Sequence, residues 1–446
     1  MRSSTALWRI GRMGRESAAP LGLLALTHFL MMADRNLPAL VLPLLKQRFA
    51  LSDTALGLLQ GPAFVLFFVV ATLAAGKLVD RSSHLRLLAI SIVLWSVASI
   101  GFGLARTWEE LVVCRLMLGL FQALVAPAAL SLIVARVSGE DVGRAVSVFT
   151  TGSALGRSGA MLLGGALLAW SASPFVRATF PAFEAWRVLF FLSALPNLLV
   201  ALSMFLSERR GRTAPAPAGR APSWRPALAW LRGAPLAFAA HLVASGCVIV
   251  LVQATSAWMP TLLQRELGLT AARSGLVSGL IVLAGAPLGH RVGGALMDLC
   301  RRTGRPPSLV IVVALALAIV GGGLLCLPST MVGLSVGLFM LTVFGGAAAV
   351  AFLAMFQLMW SSAHGVSNAL YFAIVTLMGL GLGPPVIGVL SDRVFGPGDL
   401  GRALFSTAAT MGVVAAGLAW GARCAWARVV LAAEADRRPN DARRDG

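Results

Sequence analysis

Charge is what this chain has least of. Of its 446 residues only 12% are Asp, Glu, Lys or Arg, while 58% are hydrophobic. The mean hydropathy is +0.83. Soluble domains carry about 25% charged residues, so a water-soluble globular protein is excluded and an integral membrane protein is implied. Acid is scarcer than base, with 18 Asp and Glu against 37 Lys and Arg and a net charge of +19. Such a balance can signal nucleic acid, but here the basic residues lie in short loops between apolar runs, with no basic domain of interleaved aromatics. Five cysteines (Cys114, Cys247, Cys300, Cys326, Cys424) fall mostly inside apolar segments, without a CxxC or metal-ligand spacing. A disulfide framework or a zinc site is therefore not expected. No His/Glu metal cluster, Gly-x-Ser-x-Gly or phosphate loop with Lys occurs, so the chain reads as neither an enzyme nor a cofactor protein. A sensor would need an appended soluble domain, and both tails are short.

Apolar segments of spanning length fall at roughly 19–43, 54–76, 86–105, 109–135, 144–170, 187–206, 233–258, 273–296, 308–327, 330–357, 366–390 and 403–422. About 20 apolar residues cross a bilayer, so these read as about twelve transmembrane spans. The expected fold is an all-α polytopic membrane protein. Arg2, Arg9, Arg12 and Arg15 precede the first run without a small-x-small cleavage site, which reads as a basic tail rather than a signal peptide. With that tail in the cytoplasm, about two dozen cations fall on the cytoplasmic side and about nine on the other, which places both termini inside. Residues 207–232 are rich in Pro, Ala and Arg and read as a cytoplasmic linker. The expected layout is an N-tail over 1–18, a six-helix bundle over 19–206, that linker, a second bundle over 233–422 and a C-tail over 423–446. The C-tail reads as an amphipathic surface helix or a frayed charged segment.

The run Leu21–Leu45 carries Asp34 and Arg35 at its middle. A charge at mid-bilayer costs roughly 2.5–3.5 kcal/mol, so something must compensate for it. Of the acidic residues, only Asp34 lies deep in an apolar segment; the others, Asp53 among them, fall in loops, tails or helix ends. The deep cations are Arg35, Arg115 and Arg157, with Arg291 shallower. Arg keeps its proton, so buried Arg needs acceptors, and one Asp cannot serve three. Water, backbone carbonyls or an anionic cargo must supply the rest. Asp34 is the natural proton site, since burial favours its neutral form and a neighbouring Arg35 or Arg115 its charged form. The alternative is a structural Asp34–Arg115 ion pair that locks spans 1 and 4 together.

Gln122 follows Arg115 by two helical turns on the same face and can hydrogen-bond cargo without carrying a proton. Arg157, in GSALGRSGAMLLGG, reads as a cavity residue or one that snorkels beside a neighbour. The glycines around it read as close-packing positions. In the second half, Gln357, Asn368 and Tyr371 are candidate cargo contacts. His241 reads as a satisfied helix-end residue, and Trp258 and Trp360 as interface anchors.

Gly76–Asp80 (GKLVD) closes span 2 and Gly294–Asp298 (GALMD) closes span 8, each followed by arginines. Each is the second span of its half, so the halves read as parallel repeats. Gly388–Arg393 (GVLSDR) shows the same Gly-x-x-x-Asp spacing at the far end of span 11. GKLVDRSSHLR resembles the signature loop G-x-x-x-D-R-x-G-R-R of the major facilitator superfamily, with Ser83 and His84 as departures. ADRNLPALVLPLLKQRFALSDTALGLLQGPAF and CRLMLGLFQALVAP resemble the spinster-like lipid transporters and the anion:cation symporters, with Gln122 where those clans usually have Glu.

The resemblance implies twelve transmembrane helices in two pseudo-symmetric six-helix bundles, working as a secondary active transporter by alternating access. It also implies that Asp80 meets the N-terminus of span 11. Gly76, Asp80, Arg81, Arg86 and Asp298 are then gating residues. The cargo expected from the arginine surplus is a small organic anion of carboxylate type, moved with a proton on Asp34. The alternative is a spinster-like lysolipid or amphiphile transporter, or a drug efflux protein. The expected partners are that small molecule, protons and the lipid bilayer of a bacterial-type inner membrane; no nucleic acid is expected, and the state expected is a monomer.

Overall fold

The computed structural model describes the backbone of residues 15–137, 141–210, 231–359, 364–396 and 398–441. Within that backbone, the side chains of residues 15–20, 76–77, 80–81, 209–210, 364–367, 369 and 434–441 lie outside the described set. The linker reading for 207–232, the N-tail and Trp360 fall largely or wholly outside it too. The described chain is helical throughout, without a strand. In order the helices are α1 (Arg15–Asn36), α2 (Leu42–Arg48), α3 (Asp53–Gln60), α4 (Pro62–Arg81), α5 (His84–Leu104), α6 (Trp108–Gln122), α7 (Val125–Arg136), α8 (Val142–Ser171), α9 (Pro174–Thr179) and α10 (Ala185–Arg210). They continue as α11 (Pro235–Leu267), α12 (Ala271–Thr303), α13 (Ser308–Leu324), α14 (Met331–Met359), α15 (His364–Leu390), α16 (Leu400–Gly421) and α17 (Arg423–Asp441). Among the described residues nine helical stretches are long and apolar enough to cross a membrane, and Ser308–Leu324 is a shorter apolar helix.

Proline and glycine decide where apolar runs break. The first run does not continue as one helix through Leu45: α1 stops at Asn36, a 3-10 turn covers Leu37–Leu40 around Pro38, and α2 restarts with Pro at its start. Asp34 and Arg35 thus sit in the last turn of α1, where a cation suits the helix dipole and an anion does not. The second run breaks between α3 and α4 at Gly61–Pro62. Elsewhere side chains begin the helices: Ser52 caps α3 (3.1 Å to Ala55 N), Thr107 caps α6 (3.3 Å to Glu110 N) and Thr270 caps α12 (3.3 Å to Arg273 N). Gly268 and Gly304, with φ of 63° and 68°, end α11 and α12 in the left-handed region.

The chain forms two compact units, Met1–Pro38 with Val70–Ala218, and Ala39–Val69 with Gly219–Gly446. The segment 39–69, which the sequence layout assigns to the first bundle, belongs to the second of these units. In the first unit α1 lies along α8 and α5 along α10. Gly152 and Gly156 face the backbone of Ala25 and Phe29 so closely that a Cβ would collide, as the close-packing reading expects. In the second unit α11 lies along α15, α14 along α12 and α13, and α3 along α15. The C-tail is helical over α17, with Trp426 buried and its Nε1 donating to the Ala237 carbonyl at 2.9 Å. All five cysteines are free thiols.

Candidate functional site

Asp34 is buried in the first unit, at 5% exposure. Its Oδ2 accepts hydrogen bonds from Asn197 Nδ2 at 2.6 Å and from Trp95 Nε1 at 3.1 Å. Both donors are neutral and fully buried. Among the described residues Asp34 takes part in no ion pair, so the alternative of an Asp34–Arg115 lock is not what the structure forms. The two residues share instead a cavity of about 10 Å³, also lined by Ser99, Phe102, Cys114 and Phe190. That is room for about one water.

The arginines gather around the end of α1. Arg115, 2% exposed, donates through Nη1 to the Arg35 carbonyl at 3.2 Å, satisfying one of the acceptors that the end of a helix leaves open. Gln122 is buried too; its Nε2 donates to the Met31 carbonyl at 3.2 Å, and its Oε1 has no protein partner. Arg35 lies within electrostatic range of both Arg157 and Arg115. The structure therefore brings Arg115, Gln122 and Arg157 to the end of α1, with two like charges, those of Arg115 and Arg157, acting on Arg35. Among the described residues Arg187 is the other buried arginine of this unit. Arg187 donates to the carbonyls of Gly103 (2.8 Å) and Ala105 (2.7 Å) and pairs with Glu184 at 3.0 Å.

The second-unit candidates form two separate contacts. Gln357 Nε2 donates to Asn368 Oδ1 at 2.8 Å, joining α14 to α15. Tyr371 is buried and stacks on Phe356, with ring centroids 4.2 Å apart. His241, fully buried, is enclosed by Phe352, Phe356, Tyr371 and Trp426 at 5.3–5.9 Å. It belongs to an aromatic cluster. Trp258 is not at an interface either, since it is fully buried and donates to the Pro384 carbonyl at 3.0 Å.

Residues 24–381 match the family model of the Major Facilitator Superfamily. The chain belongs to that superfamily. Over 433 residues it is 26% identical to an MFS-type efflux pump of Mycolicibacterium smegmatis, covering 94% of this chain and 95% of the relative. Over 323 residues it is 27% identical to a gallate transporter of Pseudomonas putida, covering 65% of this chain and 67% of that one. Among solved structures it resembles a bacterial homologue of the human lysosomal transporter Spinster, with a TM-score of 0.73 and 22% identity over 93% of this chain and 96% of the other. That likeness is one of fold. The protein is an all-α, twelve-helix membrane transporter of a small molecule, and not an enzyme.

Of this transporter's expected gating residues, Gly76, Asp80 and Arg81 lie on the last turns of α4, outside the described side chains. Arg86 meets Glu208 at 3.2 Å, and Asp298 is exposed on α12. The clearest helix cap of this kind lies at GVLSDR. Asp392 accepts from the Asp53 backbone N–H (3.0 Å) and from the Thr54 N–H and hydroxyl (2.7 Å each), at the N-terminus of α3. Gly388 lies against the backbone of Asp53 and Thr54, where a Cβ would collide. Asp53 itself is fully buried. It binds Lys46 at 2.6 Å, Arg265 through two bonds of 2.6 and 2.7 Å, and the Ser391 hydroxyl at 2.6 Å. The sequence reading grouped Asp53 with the acids of loops, tails and helix ends. Apart from Lys46, seven residues back, its partners Arg265 and Ser391 lie far along the chain, and the one local sign was the Ser-Asp start of an apolar helix.

Proposed function

We propose that this transporter carries a small organic anion, a carboxylate, across a bacterial-type inner membrane by alternating access, with a proton bound at Asp34. The observation that carries the reading is the arrangement at the end of α1. Two further arginine charges, Arg115 and Arg157, act on Arg35 while the one deep carboxylate is held by the neutral donors Trp95 and Asn197. An anionic cargo relieves that repulsion, and the guanidinium fork suits a carboxylate. Arg35, Arg115 and Arg157 are its anchors, Gln122 adds a hydrogen-bonding group, and Gln357, Asn368 and Tyr371 are the contacts assigned to the second half. A carboxyl buried among neutral donors gains and loses a proton as those surroundings change, without breaking an ion pair. With Gln at position 122 instead of an acid, coupling is to one proton at most. Asp80 and Arg81, with Gly76, Arg86 and Asp298, act as the gating contacts of two rocking halves, 19–206 and 233–422, joined through 207–232 with both termini cytoplasmic. The working unit is a monomer.

The relative from Pseudomonas putida, named for gallate, supports an organic anion. The efflux pump, matched over nearly the whole chain, favours the second reading, export of a drug-like or amphiphilic molecule. A thermal-shift screen of purified protein against organic acids and lysolipids separates them. Stabilisation by acids that is lost in Arg115→Ala supports the anion; stabilisation by lysolipids alone, untouched by that substitution, overturns it.

A further inference from the structure

His28 lies seven residues before Arg35, two turns back on the same face of α1. That is about 10 Å along the axis, and long side chains lean toward the helix N-terminus, so Arg35 leans back toward His28. The packing of Gly152 on Ala25 and of Gly156 on Phe29 puts Arg157 at a level between the two. The His28 ring stacks on Phe149 of α8, with centroids 4.2 Å apart, and its Nδ1 is 3.0 Å from the Phe149 carbonyl oxygen.

A carbonyl only accepts, so Nδ1 carries the ring proton. Arg157 and Arg35 are both near enough for their charges to act on the ring. A second ring proton would add one more cation to a cluster of cations, so the ring is neutral and Nε2 is an acceptor. The residue is only 8% exposed, and Nε2 is the ring nitrogen that Phe149 leaves free. It lies on the face of α1 that carries Arg35 and has no hydrogen-bond partner among the described residues. A lone pair there repels a carboxylate and calls for a donor.

We infer that His28 is a specificity-determining residue that accepts a hydrogen bond from a hydroxyl of the cargo while the neighbouring guanidinium groups take its anionic end. The cargo class is then a hydroxylated organic anion, a hydroxy or phenolic acid, rather than any carboxylate. This rests on the anion reading above and narrows it. A site built to pair with a hydroxyl discriminates against the analogue that lacks it, because the acceptor is then left without its donor.

The experiment measures binding of matched pairs, para-hydroxybenzoate against benzoate and lactate against propionate, to the full-length transporter in lipid nanodiscs. The wild type should favour the hydroxylated member of at least one pair by about tenfold. His28→Phe keeps a ring against Phe149 and removes both nitrogens, and the preference should fall to near one. His28→Gln, which retains an acceptor, should keep part of it and guards against a folding defect in the first variant. A wild-type ratio of one, or a ratio that His28→Phe leaves intact, overturns the inference while the anion reading stands. If no member of either pair binds and Arg115→Ala alters binding of nothing in the acid screen, the anion reading falls and this inference with it.

Discussion

The two buried aspartates of this transporter lie in opposite surroundings. Asp34 has two neutral donors and no ion pair among the described residues. Asp53 has Lys46, a bidentate Arg265, the Ser391 hydroxyl and a helix start capped by a second carboxylate. Desolvation penalises both carboxylates, but only at Asp53 do fixed charges offset it. A carboxylate so paired stays charged and holds segments together. One among neutral donors has no fixed charge beside it to hold it ionised. In the proposed transport cycle Asp53 is a fastening and Asp34 the switch.

That contrast can be broken by substitution, and stability should rank as follows. Asp53→Ala leaves Lys46 and Arg265 facing each other without their shared acceptor and should cost the most, about 3 kcal/mol, read as a lowered unfolding midpoint in detergent. Arg265→Lys replaces a two-bond fork by a point charge and should cost about 1–2 kcal/mol in the same assay. Asp392→Ala removes the cap on α3 and should cost about 1 kcal/mol, with Asp392→Asn recovering part of it. Asp34→Asn should change stability least, within about 1 kcal/mol, because the site already suits a neutral side chain. For transport the order should invert. Asp34→Asn should flatten the pH dependence of uptake, and a profile like that of the wild type would remove Asp34 from the proton step. Simultaneous proton and cargo flux should give a ratio no higher than one, and two protons per cargo would require a second titrating site.

Much of this was legible in the residues because the bilayer acts on composition. A run such as Leu309–Gly323 has no other place to go, and the scarcity of charge made each deep Asp or Arg conspicuous. The Asp34, Arg35, Arg115 and Arg157 set was visible for that reason. His28 was not, because its tautomer depends on a carbonyl of Phe149, more than a hundred residues away. Asp53 escaped for a related reason: by sequence it begins a helix after a loop, the ordinary place for a solvated acid. The GVLSDR spacing was noticed but had no partner until α3 was seen against Gly388 and Asp392. Trp258 shows the reverse error, since a tryptophan near the end of a run looks like an interface anchor until Pro384 is found beside its indole.

By itself, then, the sequence determined membrane residence, the number of long apolar segments, the superfamily signature and the surplus of arginine over carboxylate, since each follows from solvation or local spacing. Only the tertiary structure decided what each charge faces. Desolvation makes the protonation state and role of a buried group depend on its neighbours within a few ångströms, and for Asp34, Asp53 and His28 those neighbours come from distant parts of the chain.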